Sequence, residues 1–140
     1  MQGNRLAKSE PELFQLTQLQ KLNLSNNKIS DLWAMPASLV WLSLSDNSIR
    51  SLEIELPSSL LFLDVSYNKI SSLRSISNLS SLERLSANFN KIQSVDGIPF
   101  LSLKDLEIEG NFLRTQTDLE VLHSSPMLSN LKVKMNPLQE

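Results

Sequence analysis

The segment LQKLNLSNNKISDL, residues 19–32, decides the fold of this chain of 140 residues. Its apolar residues and one asparagine follow the pattern L-x-x-L-x-L-x-x-N-x-I-x-x-L, which returns in residues 39–52 and, with small substitutions, in later copies. The copies begin at Leu19, Leu39, Leu60, Leu82, Leu103 and Leu128. Matches at such nearly constant spacing indicate one repeat domain over residues 1–140, in which residues 1–18 hold a partial repeat.

The three residues L-x-L of each copy predict a short β-strand. Side chains alternate between the two faces of a strand, so the leucines point into a core and the residues between them point outward. No single copy can bury its own apolar stripe, and stacking of the copies buries it instead. The sequence therefore predicts an α/β solenoid: a curved stack with a parallel β-sheet on the concave face, and 3₁₀, extended and short helical segments on the convex face.

The asparagine of each copy follows the strand at the point where the chain turns. Its side-chain amide has both donors and an acceptor, so stacked amides can satisfy backbone groups that stacking would otherwise bury unpaired. The predicted structural column contains Asn27, Asn47, Asn68, Asn90, Asn111 and Asn136.

The segments that lead from one strand to the next, the returns, differ in length. Residues 73–79 and 95–101 carry apolar residues at matching positions, so both stretches are expected to pack on the convex side of the core. Residues 117–123 have room for about two helical turns. The sequence Ser9-Glu10-Pro11-Glu12 has the form of a capping box and predicts a helix start ahead of the first complete repeat.

The composition argues against several classes of function. A formal net charge of -2 is not that of a basic nucleic-acid-binding protein. The chain has no cysteine, so disulfide caps are impossible and a reducing compartment is favoured. The N-terminus lacks the apolar core of a signal peptide, and no apolar run reaches the roughly 20 residues that cross a bilayer. We expect a cytoplasmic, intracellular protein without nucleic-acid or membrane partners.

No arrangement of residues typical of an enzyme is visible in the sequence. His123 is the single histidine, and there is no cysteine nucleophile for it to activate. Histidine and cysteine do not cluster as metal ligands, and Gly3, Gly97 and Gly110 form no phosphate-binding loop. We therefore expect no catalytic residue, no metal site and no cofactor.

The repeat pattern resembles that of the leucine-rich repeat family. Residues 70–85 and 92–106 are similar to its short-repeat intracellular class, typified by the regulatory subunits of type-1 serine/threonine phosphatase. Two shorter repeats with proline in the return, residues 35–47 and 56–68, look more like bacterial effector repeats. The resemblance implies a shared scaffold whose members bind unrelated protein partners.

The outward-facing strand residues form one continuous surface if the copies stack in register. Trp41 and Phe62 then become neighbours on adjacent strands, with Asp64 and Arg84 alongside. Exposed aromatic residues beside arginine have the composition of binding hot spots, although such a pair can also pack on itself with no partner. The predicted partner-binding residues are Lys21, Trp41, Phe62, Asp64, Tyr67, Arg84, Phe89, Asp105 and Glu107.

Two groups within this set have alternative interpretations. Tyr67 and Phe89 precede ladder asparagines, and an aromatic residue there can simply cover the turn. Asp105 and Glu107, with Glu83 one strand away, predict an acidic patch. Such a patch either orients a basic partner or only keeps the protein soluble, and lysines on the next strand can neutralise it.

The sequence predicts a protein–protein interaction module, an adaptor or regulatory subunit that binds a protein partner through its concave sheet. We expect a monomer or weak self-association through uncapped ends. One alternative is a structural segment of a longer solenoid or cytoskeletal protein, which would self-associate through its exposed ends. Another is the recognition domain of a bacterial effector. Both alternatives use the same fold, so the pattern of repeats leaves them open.

Overall fold

A computed structural model describes residues 15–138 as a stack of short strands joined by long returns. The strands form one six-stranded parallel sheet in chain order. They are β1 (Lys21–Asn23), β2 (Trp41–Ser43), β3 (Phe62–Asp64), β4 (Arg84–Ser86), β5 (Asp105–Glu107) and β6 (Asn130–Lys132). The predicted leucine-rich repeat solenoid with its parallel sheet is therefore confirmed.

The strands pair without any offset between the copies. The central leucine of β2, Leu42, lies opposite Leu22 of β1 and Leu63 of β3, and this register continues to β6. Because each central leucine points inward, the register stacks apolar side chains into one continuous core. The leucines at these positions in β2 and β3 have no solvent-accessible surface. The same register forces the residues at both ends of each strand into rows on the outer face.

The side-chain amides of the asparagine column form hydrogen bonds with the backbone of the turns. In the middle of the column, the Asn68 amide nitrogen donates to the carbonyls of Val65 in its own repeat and Leu44 in the preceding one, at 3.0 and 2.9 Å. Its Oδ1 accepts the backbone N–H of Ile49, also in the preceding repeat, at 3.0 Å. Each such amide therefore ties two copies together. Bonds of this kind recur at Asn47, Asn90, Asn111 and Asn136.

The returns contain two helical segments within the described residues. A 3₁₀ helix spans Arg74–Ile76, and helix α1 spans Gln116–Ser124, which confirms the helix predicted for residues 117–123. Thr115 caps α1 by accepting the backbone N–H of Asp118, and the buried Asp118 carboxylate in turn accepts the N–H of Val95 at 3.0 Å. The predicted capping box at residues 9–12 lies outside the described residues.

The return of the fourth copy departs from the sequence match. Leu79 and Leu101 occupy matching positions, yet Leu79 is fully buried and Leu101 is 88% exposed. The stretch from Leu101 to β5 is one residue shorter than the stretch from Leu79 to β4. For this reason Phe100 packs against the core where Leu101 was expected. The prediction that residues 95–101 pack like residues 73–79 is therefore wrong at its last position.

Candidate functional site

The outer face of the sheet presents two rows of variable side chains. The first row, from the first position of each strand, contains Lys21, Trp41, Phe62, Arg84, Asp105 and Asn130. The second row, from the last position, contains Asn23, Ser43, Asp64, Ser86, Glu107 and Lys132. These residues contribute no side chain to the continuous core, so their identity can vary while the fold is kept.

Trp41 and Phe62 form a stacked aromatic pair in the first row. Their ring centroids lie 5.1 Å apart with an interplanar angle of 5°. The in-register parallel pairing sets this geometry, because neighbouring strands are separated by about 4.8 Å. Each ring covers one face of the other, so both side chains are half-buried rather than fully exposed. Leu61, immediately before Phe62, is 44% exposed and extends the apolar surface at the start of β3.

The predicted acidic patch is paired with basic residues. Asp105 contacts Arg84 at 2.8 Å, Glu107 contacts Lys132 at 2.6 Å, and Glu83 contacts Lys104 at 2.9 Å. Every one of these ion pairs joins adjacent repeats. All retain considerable exposure to water, so each contributes little to stability. The patch is therefore a mixed-charge surface, which agrees with the interpretation that lysines on the next strand neutralise it.

Glu107 has the most extensive hydrogen-bonding environment among these carboxylates. The hydrogen bond from Lys132 lowers the pKa of Glu107 below its ordinary value of 4.5, against an opposing effect of burial, and Asn88 and Ser86 lower it further. The same contact raises the pKa of Lys132 above its ordinary 10.5. The stabilising contribution of Glu107 is then present above about pH 4.5 and is lost as the pH falls through its folded-state pKa. The stabilising contribution of Lys132 is present below about pH 10.5 and is lost as the pH rises through the folded-state pKa of Lys132.

Replacing Lys132 with methionine is expected to raise the pKa of Glu107 toward its ordinary value, because the largest interaction favouring the charged form is removed. Carbon-13 NMR titration of the glutamate carboxyl groups measures this shift. Lys104→Met is the matched control, since it breaks the ion pair with Glu83 and leaves Glu107 unchanged. An unaltered Glu107 titration in Lys132→Met would contradict the assigned cause.

A second stacked pair, Tyr67 and Phe89, lies just beyond the ends of β3 and β4. The ring centroids are 4.9 Å apart, with an interplanar angle of 15°. Both residues have positive φ angles, 56° and 53°, in a turn position where every copy is left-handed. Because this conformation is unfavourable for bulky residues, the stack offsets part of its cost. Tyr67 is 56% exposed, so the pair covers the turn and still presents apolar surface to solvent.

A depression of about 310 Å³ opens beside the first aromatic pair. It is lined by Phe62, Asp64, Arg84, Leu85, Ser86, Asp105, Glu107 and Asn130. The structure thus brings five of the predicted partner-binding residues together in one place. Lys21 lies outside it, exposed on the far side of Trp41 on β1.

Sequence reasoning missed a second column of side chains, made of serines that precede the first leucine of a copy. The hydroxyls of Ser38, Ser59 and Ser102 donate to the carbonyls of Leu19, Leu39 and Leu82 in the preceding copy, at 2.7, 2.6 and 2.8 Å. These bonds tie neighbouring repeats on the side opposite the asparagines. A serine before the first leucine recurs in four consecutive copies, which was the signal that could have revealed the column.

No metal site or membrane-spanning helix is found in the part of the chain that the structure describes. Residues 15–138 contain no group of three or more histidine, cysteine, aspartate or glutamate residues that could hold a metal ion. Among the same residues, no helix is long and apolar enough to cross a membrane. His123 is an exposed residue in the last turn of α1.

The repeated strand, the asparagine column and the open parallel sheet define a leucine-rich repeat solenoid. The family model described as Leucine Rich Repeat matches residues 18–35. The human leucine-rich repeats and immunoglobulin-like domains protein 3 is 37% identical over 75% of this chain and 10% of its own length. Protein NUD1 of Saccharomyces cerevisiae is 35% identical over 72% of this chain and 12% of its own length.

A solved structure agrees with the fold. The functional domain of InlJ from Listeria monocytogenes superimposes with a TM-score of 0.79 and 23% identity, covering 99% of this chain and 30% of that one. The chain carries a leucine-rich repeat motif and has the leucine-rich repeat fold. It spans only about a tenth of the length of the two curated relatives. The similarity to phosphatase regulatory subunits stays a prediction.

Proposed function

We propose that this domain is a protein-interaction module that binds a protein partner through the outer, concave face of its sheet. The stacked pair of Trp41 and Phe62 carries this proposal. Aromatic side chains are enriched among the residues that dominate binding energy, and such residues are typically central and surrounded by polar contacts. Here the pair is flanked by Leu61 and then by the ion pair of Arg84 with Asp105. An apolar centre with a charged rim is the anatomy of a protein interface.

The position of the pair outside the core supports a binding function over a structural one. Neither ring belongs to the continuous cluster of buried leucines, isoleucines and valines. A half-buried aromatic pair on a sheet surface adds some packing energy, but the strands are already held by their leucines and by the asparagine column. Loss of the pair therefore leaves the fold intact while removing most of the apolar surface from this part of the face.

The finer parts of the proposal rest on composition. An adaptor or regulatory subunit in the cytoplasm is supported by the absence of cysteine, and a protein rather than a nucleic acid is supported by the net charge of -2. The leucine-rich repeat fold is generally used for binding rather than catalysis, which supports a non-enzymatic role.

The alternative of an assembly element is favoured by one observation at β6. The residues Leu128, Leu131, Val133 and Leu138 are only partly buried. Their equivalents in the preceding copy, Leu103, Leu106, Ile108 and Leu113, are fully buried. A further repeat or a second copy of the chain stacked on β6 would cover this apolar edge. The bacterial effector alternative rests only on the proline-containing returns.

Affinity capture tests the proposal directly. Wild type, a Trp41→Ala/Phe62→Ala variant and a Leu101→Ala/Phe112→Ala variant are immobilised, and the proteins retained from matched lysate are identified by mass spectrometry. The third variant is the control, since it removes exposed apolar side chains that lie off the sheet. We expect a protein retained by wild type and control to be lost from Trp41→Ala/Phe62→Ala. Retention of the same protein by all three would reject the concave face and favour the assembly element.

A further inference from the structure

Asp64 differs from the other carboxylates of the depression because residues 15–138 supply no cationic partner for it. Asp105 and Glu107 are each paired with a basic side chain on the adjacent strand. Within residues 15–138, no lysine or arginine forms an ion pair with Asp64. Its Oδ1 accepts the backbone N–H of Ser66 at 2.9 Å, which fixes the orientation of the carboxylate. A half-buried, oriented carboxylate that no lysine or arginine of the described residues neutralises therefore lies in the depression.

Phe62 supplies an aromatic wall next to this charge. Phe62 and Asp64 are the first and last residues of β3, so both side chains lie on the outer face, separated by two residue steps of about 3.3 Å each. One face of the Phe62 ring stacks on Trp41. Because Trp41 is on β2, the other face is directed toward β4 and the depression that the ring lines.

We propose that this depression binds an arginine side chain of the partner protein. The guanidinium forms an ion pair with Asp64 and stacks on the face of the Phe62 ring that is turned away from Trp41. This assignment rests on the proposed function and specifies the chemistry that the face recognises. The partner presents an exposed arginine beside apolar residues. Those apolar residues cover Trp41 and Leu61.

The charges around the depression favour a cation. Three carboxylates line it, Asp64, Asp105 and Glu107, and two of them are paired with a single cation each, Asp105 with Arg84 and Glu107 with Lys132. Arg84 is held by Asp105 at 2.8 Å, so it is already neutralised and does not compete for Asp64. An incoming cation thus meets a net negative surface, and the ring face of Phe62 adds a cation–π attraction.

Arginine fits the site better than lysine for geometrical reasons. A guanidinium is planar, weakly hydrated and able to stack on an aromatic ring while it donates hydrogen bonds in its own plane. An ammonium is compact and strongly hydrated, and it gains less from a shallow site open to water. The volume of about 310 Å³ readily admits a guanidinium and part of its aliphatic stem.

NMR titration of the isotopically labelled domain with short peptides tests this proposal without the natural partner. The probes are acetyl-Gly-Arg-Gly-amide and the same tripeptide with citrulline or lysine in place of arginine. Citrulline keeps the shape of arginine and removes its charge. We expect the arginine peptide to shift the amide signals of residues 62–66 and Ser86 with a dissociation constant on the order of 10 mM, as a single exposed cation site allows.

The variants decide whether Asp64 is responsible. Asp64→Asn is expected to weaken binding of the arginine peptide about fivefold or more, which corresponds to about 1 kcal/mol. Asp46→Asn, a matched change of an exposed carboxylate outside the depression, is expected to leave binding unchanged. Equal responses to the arginine and citrulline or lysine peptides, or an unaltered response in Asp64→Asn, would overturn the proposal.

The outcome is separable from that of the affinity capture. The titration uses only the domain and a peptide, so its failure rejects the arginine site and leaves the concave interface standing. If Trp41→Ala/Phe62→Ala does not change the proteins captured, the concave interface itself is rejected, regardless of the result of the peptide titration.

Discussion

Gly97→Ala is expected to lower the free energy of unfolding by about 4 kcal/mol, because it combines backbone strain with a clash that no side chain can relieve. Gly97 has a φ of 90°, a region that residues with a Cβ rarely adopt. An added Cβ would lie 2.3 Å from the Cα of Arg74 and 2.5 Å from the carbonyl oxygen of Leu73. These atoms belong to the backbone at the start of the 3₁₀ helix Arg74–Ile76. The return that contains Gly97 and the preceding return, which contains Leu73 and Arg74, would have to separate.

Urea unfolding followed by circular dichroism measures this loss, with Gly110→Ala as the matched control. Gly110 also has a positive φ, 64°, but other copies place non-glycine residues at the equivalent position. The three atoms nearest to its added Cβ would all belong to the ring of Phe89, a side chain that can rotate away. We expect Gly110→Ala to cost about 1 kcal/mol. Equal losses for the two variants would show that the close approach of Gly97 to the preceding return is not important.

Asn68→Ala is expected to cost about 3 kcal/mol of stability, because it leaves buried backbone groups of two copies without partners. The variant removes the acceptor of the Ile49 N–H and the donor to the carbonyls of Leu44 and Val65. Asn68 is buried in the middle of the column, so water cannot readily replace these bonds. The loss falls on the contact between the second and third copies.

The control for this variant is Asn78→Ala, the same substitution at an exposed position on the convex side. A change of this kind on the surface typically alters stability by less than about 0.5 kcal/mol. Thermal or urea unfolding of the two variants gives the comparison. If Asn68→Ala proved no more destabilising than Asn78→Ala, the asparagine column would not be the structural element described above.

The stacked core and the asparagine column could be predicted because they repeat. A solenoid is built by translating one unit, so a residue at a fixed position in each copy, such as Asn68 or Leu63, meets its own equivalent in the neighbouring copy. The register of the strands follows from the same regularity. The same regularity predicted that Trp41 and Phe62 would be neighbours, and the structure places their ring centroids 5.1 Å apart.

The irregular features could not be predicted from the pattern. The burial of Phe100 in place of Leu101 depends on a one-residue difference in a return, which changes the residue that reaches the core. The pairing of Glu107 with Lys132 depends on side-chain conformations across a strand pair that the spacing does not fix. Similarly, the pattern does not indicate that Asp105 and Glu107 are paired while no lysine or arginine among residues 15–138 pairs with Asp64.

Under the proposed function, stability and recognition use separate sets of residues in this domain. Leucines and ladder asparagines face inward or along the turns, whereas the aromatic pair and the charged residues occupy the outer rows of the sheet. This separation explains how the recognition face can change without loss of the scaffold. Variants of the leucines and ladder asparagines should therefore change unfolding, whereas variants of the outer-row residues should change binding.

The most direct test of the concave interface is the dissociation constant of the captured partner, measured by isothermal titration calorimetry against three proteins. These are wild type, Trp41→Ala/Phe62→Ala and the off-sheet control Leu101→Ala/Phe112→Ala. Removal of the aromatic pair is predicted to weaken binding at least about 100-fold, or roughly 2.7 kcal/mol, while the control binds like wild type and all three unfold at similar temperatures. Equal affinity of the aromatic-pair variant and wild type would contradict a concave interface centred on Trp41 and Phe62.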